Sequence, residues 1–322
     1  MELKEFLAEW HNDDPRILVH TSGSTGKPKP LMVEKRRMLN SARITCDFLG
    51  LKPGDTALLC MPLDYIAGKM MVVRSLQRDL RLTSVRPSSH PLADETLPSF
   101  TFAAMVPMQV YNSLKVPCEC ERLMHIRHLI IGGGAISDEL AQMIKPLPNA
   151  VWSTYGMTET LSHIALRRLN GPDASLWYTP FDGVGISLNA DGCLVIDAPE
   201  VCAEPLVTND IAQLRTDDRT GKTLFRIKGR KDNVVCSGGI KIQIEEVEET
   251  LRPHLSSPFM IVKKQDEMLG EKAILLTESA ELTHIEEICR NTLPKYWVPR
   301  EFLHIDHLSL TETGKPKRSG AF

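Results

Sequence analysis

The sequence has no long hydrophobic run. Its apolar stretches are short, such as Leu129–Ile131 and Val234–Cys236, against the roughly 20 residues that a helix needs to span a bilayer. It lacks the apolar core of a signal peptide, because its start, MELKEFLAEWHNDD, is amphipathic and acidic. It lacks a charge excess: Lys+Arg number 38 against Asp+Glu 41, a net charge of -3. Nucleic-acid binders and polybasic membrane proteins need a basic surplus, so both classes are disfavoured. The cysteines lack metal-site spacing. Eight stand at 46, 60, 118, 120, 193, 202, 236 and 289 with no CxxC pair, and Cys118-Glu-Cys120 is tighter than a zinc knuckle. The ten histidines form no HxxxH or HExxH arrangement. The expectation is a reduced, cytoplasmic protein with no protein-ligated transition metal. What is present is ordinary globular material, 42% hydrophobic and 25% charged over 322 residues. That is enough for two domains with cores of their own, and it argues against a disordered tail or a coiled coil.

Along the chain, strand-like and helical segments alternate first. Ile17–His20 reads as a strand that runs into a Ser/Gly/Pro-rich loop, Thr21–Pro30, and Lys35–Leu49 has helical spacing with Met38, Ala42, Cys46 and Leu49 on one face. Thr56–Met61, His128–Ile131 and Ala150–Ser153 read as strands, and this alternation predicts a parallel or mixed sheet covered by helices. After about Gly183 the texture shifts to short strands at Cys193–Ile196, Ala212–Arg215 and Leu224–Ile227. From Arg230 a compact tail follows. Ile244, Val247 and Leu251 mark a helix, Met260–Lys263 and Ala273–Thr277 read as strands, and a second helix runs from Thr283 to Leu293. The prediction is an α/β chain: a large mixed α/β domain and a small α+β domain.

The densest chemistry lies in Thr21-Ser-Gly-Ser-Thr-Gly-Lys-Pro-Lys-Pro30. Glycines let backbone N–H groups turn toward an anion, and hydroxyls with Lys27 complete a phosphate cradle. The loop is not a Walker A motif, since only two residues separate Gly23 from Gly26, where that motif has four, and Pro28 follows Lys27. His128-Leu-Ile-Ile-Gly-Gly-Gly-Ala-Ile-Ser137 fails the dinucleotide fingerprint, because its third glycine position is Ser137. Two readings stay open there: a nucleobase close to the backbone around Gly133 and Ala135, or a tight strand-to-helix turn. In Trp152-Ser-Thr-Tyr-Gly-Met-Thr-Glu-Thr160, Tyr155 can stack on adenine, Thr158 can bond a phosphate and Glu159 can hold Mg²⁺ on ATP oxygens; an ordinary loop has the same composition. Asp210 can accept from ribose hydroxyls or cap a turn. Gly229-Arg-Lys-Asp232 reads as a charged linker or a hinge, and Thr311-Glu-Thr-Gly-Lys-Pro-Lys-Arg318 as a solvated basic end.

In this order and spacing the segments resemble the adenylate-forming superfamily: acyl- and aryl-CoA ligases, peptide-synthetase adenylation domains and luciferases. The resemblance runs from Val19 to Arg318. It implies that Thr21, Ser22, Gly23, Ser24, Thr25, Gly26 and Lys27 form the phosphate loop. It implies an adenine and Mg²⁺ site at Tyr155, Gly156, Thr158 and Glu159, and ribose contacts at Asp210 and Arg230. It further implies a hinge at Asp232 and an adenylation lysine at Lys315. The implied layout is an ATP- and acid-binding domain over 1–230 and a mobile domain over 231–322, using ATP with Mg²⁺ and then CoA.

Three departures accompany the resemblance. Only 20 residues precede the phosphate loop, where the family has a substantial region, so a shortened version is implied; a homodimer is compatible with it. Pro30 replaces a glycine. Asp64 and Tyr65 stand where many members have an aromatic residue followed by His. Within the family, Gly68-Lys-Met-Met-Val-Val-Arg74 is similar to the o-succinylbenzoate–CoA ligases of menaquinone biosynthesis. Their arginine at this offset serves the second carboxylate, which makes Tyr65, Lys69 and Arg74 candidate acid-site residues. The alternative for Arg74 is a helix-surface residue paired with Asp79 or solvent. The alternatives for the whole chain are another aryl- or acyl-CoA ligase, an enzyme that loads a carrier protein, or a catalytically silent nucleotide-binding module.

Overall fold

The computed structural model describes residues 1–20, 30–134, 136–309 and 317–318. Among them, α1 (Leu3–His11) is followed by β1 (Arg16–His20) and β2 (Pro30–Glu34), which pair antiparallel. The helix α2 (Lys35–Leu49) spans the segment that the spacing predicts. It buries Met38, Ser41, Ala42, Thr45, Cys46 and Leu49, and Gly50 ends it in the left-handed region at φ 64°. That conformation costs glycine little and most residues more.

A seven-stranded sheet follows. It comprises β3 (Thr56–Leu59), β4 (Arg81–Ser84), β5 (Phe102–Met105), β6 (His128–Ile131), β7 (Ala150–Gly156), β8 (His163–Arg168) and β9 (Thr179–Pro180), in the spatial order β4-β3-β5-β6-β7-β8-β9. The pairs from β4 to β7 are parallel, and β8 and β9 are antiparallel. Phe102, Ala103, Ala104 and Met105 are all buried, as expected for a parallel strand covered on both faces. The connecting helices are α3 (Ile66–Arg78), α4 (Pro107–Lys115), α5 (Pro117–Met124) and α6 (Asp138–Ile144). Ser137, which broke the dinucleotide fingerprint, caps α6: its hydroxyl accepts from the Leu140 N–H at 3.2 Å.

A third sheet runs β10 (Gly185–Leu188), β11 (Cys193–Asp197), β12 (Leu206–Thr216), β13 (Thr223–Arg230) in that order. The sequence reading started β12 at Ala212. The strand begins six residues earlier and takes in Thr208-Asn-Asp210, because β12 alternates buried Thr208 and Ala212 with polar, exposed positions that do not look strand-like in isolation.

The C-terminal sheet holds β14 (Val234–Ser237), β15 (Ile240–Gln243), β16 (Phe259–Asp266), β17 (Gly270–Thr277) and β18 (Glu301–His304), in the order β15-β14-β17-β16 with β18 parallel to β17. The helices α7 (Ile244–Leu251) and α8 (Leu282–Thr292) belong to the same region. Ile261 and Leu275 join Val247, Leu251, Ile285 and Cys289 in one core, whereas Met260, Val262, Ile274 and Leu276 form a second cluster. The two-residue period of a strand thus builds two apolar layers.

The chain divides into two compact units. One is Met1–Ile186, Ile196–Leu206 and Arg215–Phe225; the other is Ser187–Val195, Val207–Leu214 and Arg226–Phe322. The mixed α/β class expected from the sequence is the class observed.

Candidate active site

In the first unit, β3, β6 and β7 are parallel, so the segments that leave their carboxyl ends share one sheet edge. These segments are Pro62–Tyr65, Gly132–Gly134 and Gly156–Thr160, and such edges are where open α/β sheets take ligands. Tyr155 lies in a three-ring cluster. Its ring meets Phe225 edge-on at 5.0 Å and lies 5.7 Å from Tyr178, and Tyr178 and Phe225 stack at 5.3 Å. The Tyr178 hydroxyl is 2.9 Å from Ser153 Oγ. Packing on this scale holds the Tyr155 ring as a flat, pre-oriented surface.

After β7 the chain makes a 3₁₀ turn, Thr158–Thr160. Thr158 is buried, while Glu159 faces solvent, and among the described residues no hydrogen bond or ion pair occupies its carboxylate. The Cys202 thiol, pushed up to about 11 by burial, donates to the Glu159 carbonyl at 3.2 Å and so pins the turn. Among the described residues no group of three His, Cys, Asp or Glu side chains could hold a metal by itself. A lone free carboxylate fits a Mg²⁺ ion that arrives on nucleotide phosphates and keeps most of its other ligands.

Gly156 has a steric reason of its own. A Cβ there would collide with the Ser162 carbonyl and with His163 Cα, because β7 and β8 close tightly at a register shift after Tyr155. Gly133 has φ 79°, so the turn after β6 needs the left-handed region. The loop residues Thr21 to Lys27, Ala135 and Lys315 lie outside the described residues.

The three candidate acid-site residues part company. Tyr65 is 40% exposed at the start of α3. Lys69 is buried, and its ammonium donates to the Leu18 carbonyl at 2.6 Å and lies 4.0 Å from Glu9. It therefore ties α3 to β1 and α1. Burial pulls its pKa down, against the charges of Glu9 and Asp64.

Arg74 is not the helix-surface residue of the alternative reading. It is 2% exposed, and its Nη2 donates to Ser162 Oγ at 2.5 Å. Its Nη1 has only the Met71 sulfur at 3.8 Å, and its Nε is buried without a partner. Among the described residues no carboxylate pairs with it, and burial pushes its pKa down to about 10, with Cys46 opposing. A buried cation without a counter-ion is costly.

In the second unit, Arg230 bridges two carboxylates. Its Nη1 is 3.4 Å from Asp210 Oδ1, and its Nη2 is 2.9 Å from Asp232 Oδ2. Burial would lower the Arg230 pKa, but the bond to Asp232 and the charges of Asp210, Asp232 and Glu245 outweigh it and leave it raised. Asp232 lies in the 3₁₀ turn Lys231–Asn233 and also accepts from Asn209 at 3.4 Å. The structure thus brings the candidate ribose and hinge residues into one network.

A family model described as "AMP-binding enzyme" matches residues 3–203 of the chain. The chain belongs to the AMP-binding enzyme family. Among its relatives, the 2-succinylbenzoate–CoA ligase of Bacillus mycoides is 25% identical over 330 residues, covering 93% of this chain and 68% of that protein. The 2-succinylbenzoate–CoA ligase of Salmonella typhimurium is 29% identical over 312 residues, covering 92% and 66%. The chain therefore spans about two thirds of the length of the curated relatives it matches. Among solved structures, the acyl-CoA synthetase (AMP-forming)/AMP-acid ligase II-like protein from Dyadobacter fermentans is 33% identical with a TM-score of 0.68, and the match covers 98% of this chain and 91% of that one. As a member of the AMP-binding enzymes, the chain carries Arg74, which has no carboxylate partner among the described residues, within the span that the family model matches.

Four contributors escaped the sequence reading: Ser162, His163, Thr45 and Cys202. Ser162-His163 follows the Trp152–Thr160 segment after one residue, Leu161, but a Ser-His pair has no pattern of its own, and Thr45 lies within the predicted helix Lys35–Leu49 without standing among the residues predicted for its apolar face.

Proposed function

We propose that the protein is an ATP-dependent acid–CoA ligase that forms an acyl-adenylate and then a CoA thioester, with o-succinylbenzoate as its acid. The observation that carries the choice of acid is Arg74, a buried guanidinium with no carboxylate partner among the described residues. A diacid has one carboxylate that reacts and one that needs a cation, and a planar guanidinium in a dry site suits the second. The Bacillus and Salmonella relatives are 2-succinylbenzoate–CoA ligases, which supports the same acid.

In this reading a carboxylate oxygen of the acid attacks the α-phosphate of MgATP and pyrophosphate leaves. The CoA thiol then attacks the acyl carbon and AMP leaves. The protein contributes positioning and charge stabilisation more than proton transfer. Thr21, Ser22, Ser24, Thr25 and Lys27 hold the β- and γ-phosphates. Tyr155 supports the adenine, Thr158 a phosphate, and Glu159 the Mg²⁺ that accompanies ATP. Asp210 and Arg230 hold the ribose. Lys315 balances charge between the acid and the α-phosphate. Residues 231–322 turn about Asp232 between the two steps, so that Lys315 gives way to the thiol.

The test is mass spectrometry of products after incubation with MgATP, CoA and o-succinylbenzoate, with benzoate and a medium-chain fatty acid in parallel. The expected product is the CoA thioester of o-succinylbenzoate alone. A thioester from another acid would remove the role of Arg74. An adenylate with no thioester would point to a carrier-protein thiol, and no product from any acid would favour a silent module.

A further inference from the structure

The Arg74 guanidinium is held by a chain of hydrogen bonds whose direction is determined at each link. Thr45 Oγ1 donates its one proton to the Ser41 carbonyl at 3.0 Å. At 3.2 Å from His163 Nε2, the same oxygen must therefore accept, so the His163 proton sits on Nε2. That leaves a lone pair on Nδ1. Ser162 Oγ, 3.1 Å from Nδ1, fills it by donating. The Ser162 oxygen is then free to accept from Arg74 Nη2 at 2.5 Å. The other His163 tautomer would leave Thr45 Oγ1, with its single proton, facing two acceptors, the Ser41 carbonyl and His163 Nε2.

His163 is fully enclosed and neutral; burial, with the nearby charge of Arg74, holds it well below its ordinary 6.5. The backbone also invests in this arrangement. Leu161, just before Ser162, has φ 65°, and among the described residues only Asp79 shares a positive φ without being glycine. The Leu161 N–H bonds the Thr158 carbonyl at 2.9 Å, and Gly156 leaves room for the Ser162 and His163 backbone. Strain of this kind persists where the surroundings over-determine it and is concentrated at functional sites.

We propose that Ser162 and His163, backed by Thr45, are positioning residues that determine acid specificity. They fix the Arg74 fork in one orientation and leave its unpartnered Nε proton for the non-reacting carboxylate of a dicarboxylic acid. The inference rests on the diacid reading of Arg74. A relay of neutral groups suits the task. It orients the cation without cancelling its charge, as a carboxylate partner would, so the full attraction is kept for the substrate.

The experiment measures adenylation by the full chain, as pyrophosphate release, with o-succinylbenzoate and with its two single-carboxylate analogues. The readout is discrimination, the ratio of kcat/KM for the diacid to that for each analogue. Ser162→Ala is expected to lower discrimination by about tenfold, the effect of losing a hydrogen bond to a charged group, and His163→Leu, which removes the acceptor that orients Ser162, by a smaller factor of about threefold. His163→Asn, whose amide oxygen can accept from Ser162, is expected to restore it toward the wild-type value. In an Arg74→Gln background, Ser162→Ala should have no further effect on discrimination. A purely structural role would lower kcat/KM for diacid and analogues alike. That result, or an undiminished Ser162→Ala effect in the Arg74→Gln background, overturns the relay. If Arg74→Gln itself abolishes discrimination while Ser162→Ala and His163→Leu do not, the diacid reading survives and the relay fails. If Arg74→Gln leaves discrimination unchanged, both fail. Thr45→Val probes the far end of the same relay and carries the test should either Ser162 or His163 variants not fold.

Discussion

His163 offers a thermodynamic prediction that needs no substrate. Its ring is enclosed by Thr45 on α2, Arg74 on α3, the adjoining Ser162, and Phe181, whose ring stands edge-on at 5.5 Å. Burial first, and the Arg74 charge second, hold its folded pKa well below 6.5. The unfolded chain takes up this proton near the ordinary value and the folded chain does not, so below that value the unfolded state binds more protons. The stability contributed by a neutral His163 is therefore complete above pH 6.5 and is lost as pH falls toward the depressed folded pKa. The limiting slope is about 1.4 kcal/mol per pH unit, which integrates to a loss of about 1 kcal/mol between pH 6.5 and 5.5. The assay is urea unfolding of wild type and His163→Asn across this range, with the difference between them taken at each pH. Other titrating groups, including His128, which burial and the charges of Arg127 and Arg168 also pull down against Asp55, are common to both proteins and cancel. Equal pH slopes in the two proteins would refute the account, because His163 would then bind its proton equally in both states.

Arg74→Met should raise the unfolding free energy by about 1–3 kcal/mol, since an unneutralised buried cation gives way to an apolar chain, while use of the diacid is lost. A marked fall in urea midpoint would mean that the guanidinium has a counter-ion after all. Lys69→Met strands the Leu18 carbonyl and leaves the Glu9 carboxylate without its nearest cation. It should cost about 2–4 kcal/mol, and a change within about 0.5 kcal/mol in the same measurement, the size of a neutral surface change, would show the contact to be idle. Asp232→Pro fixes φ and removes an N–H. Pyrophosphate release should persist while thioester formation drops, and equal loss of both steps would contradict a rotation at Asp232.

The local elements were legible because their causes are local. The apolar spacing of Lys35–Leu49 and the arrest at Gly50 define α2, and His128–Ile131 is a short buried run that can only be a covered strand in this setting. The family was legible for the same reason: glycines, hydroxyls and a carboxylate in a fixed order form motifs before any packing is known.

Arg74 shows where that reasoning ends. In Gly68-Lys-Met-Met-Val-Val-Arg74 the residues before the arginine are largely apolar on every side, so the helix face that meets solvent cannot be assigned from spacing. Its burial was decided by the chain around it, and its Ser162 partner lies 88 residues away. Likewise His163 and Thr45 are 118 residues apart, and neither carries a pattern that names the other. By itself the sequence determined the α/β class and segments such as α2 and β6, because those depend on neighbours along the chain. Only the tertiary structure decided which cation is buried with no carboxylate partner among the described residues, and which hydroxyl and imidazole stand beside it. Burial and hydrogen-bond direction arise from residues that meet only when the sheet has closed.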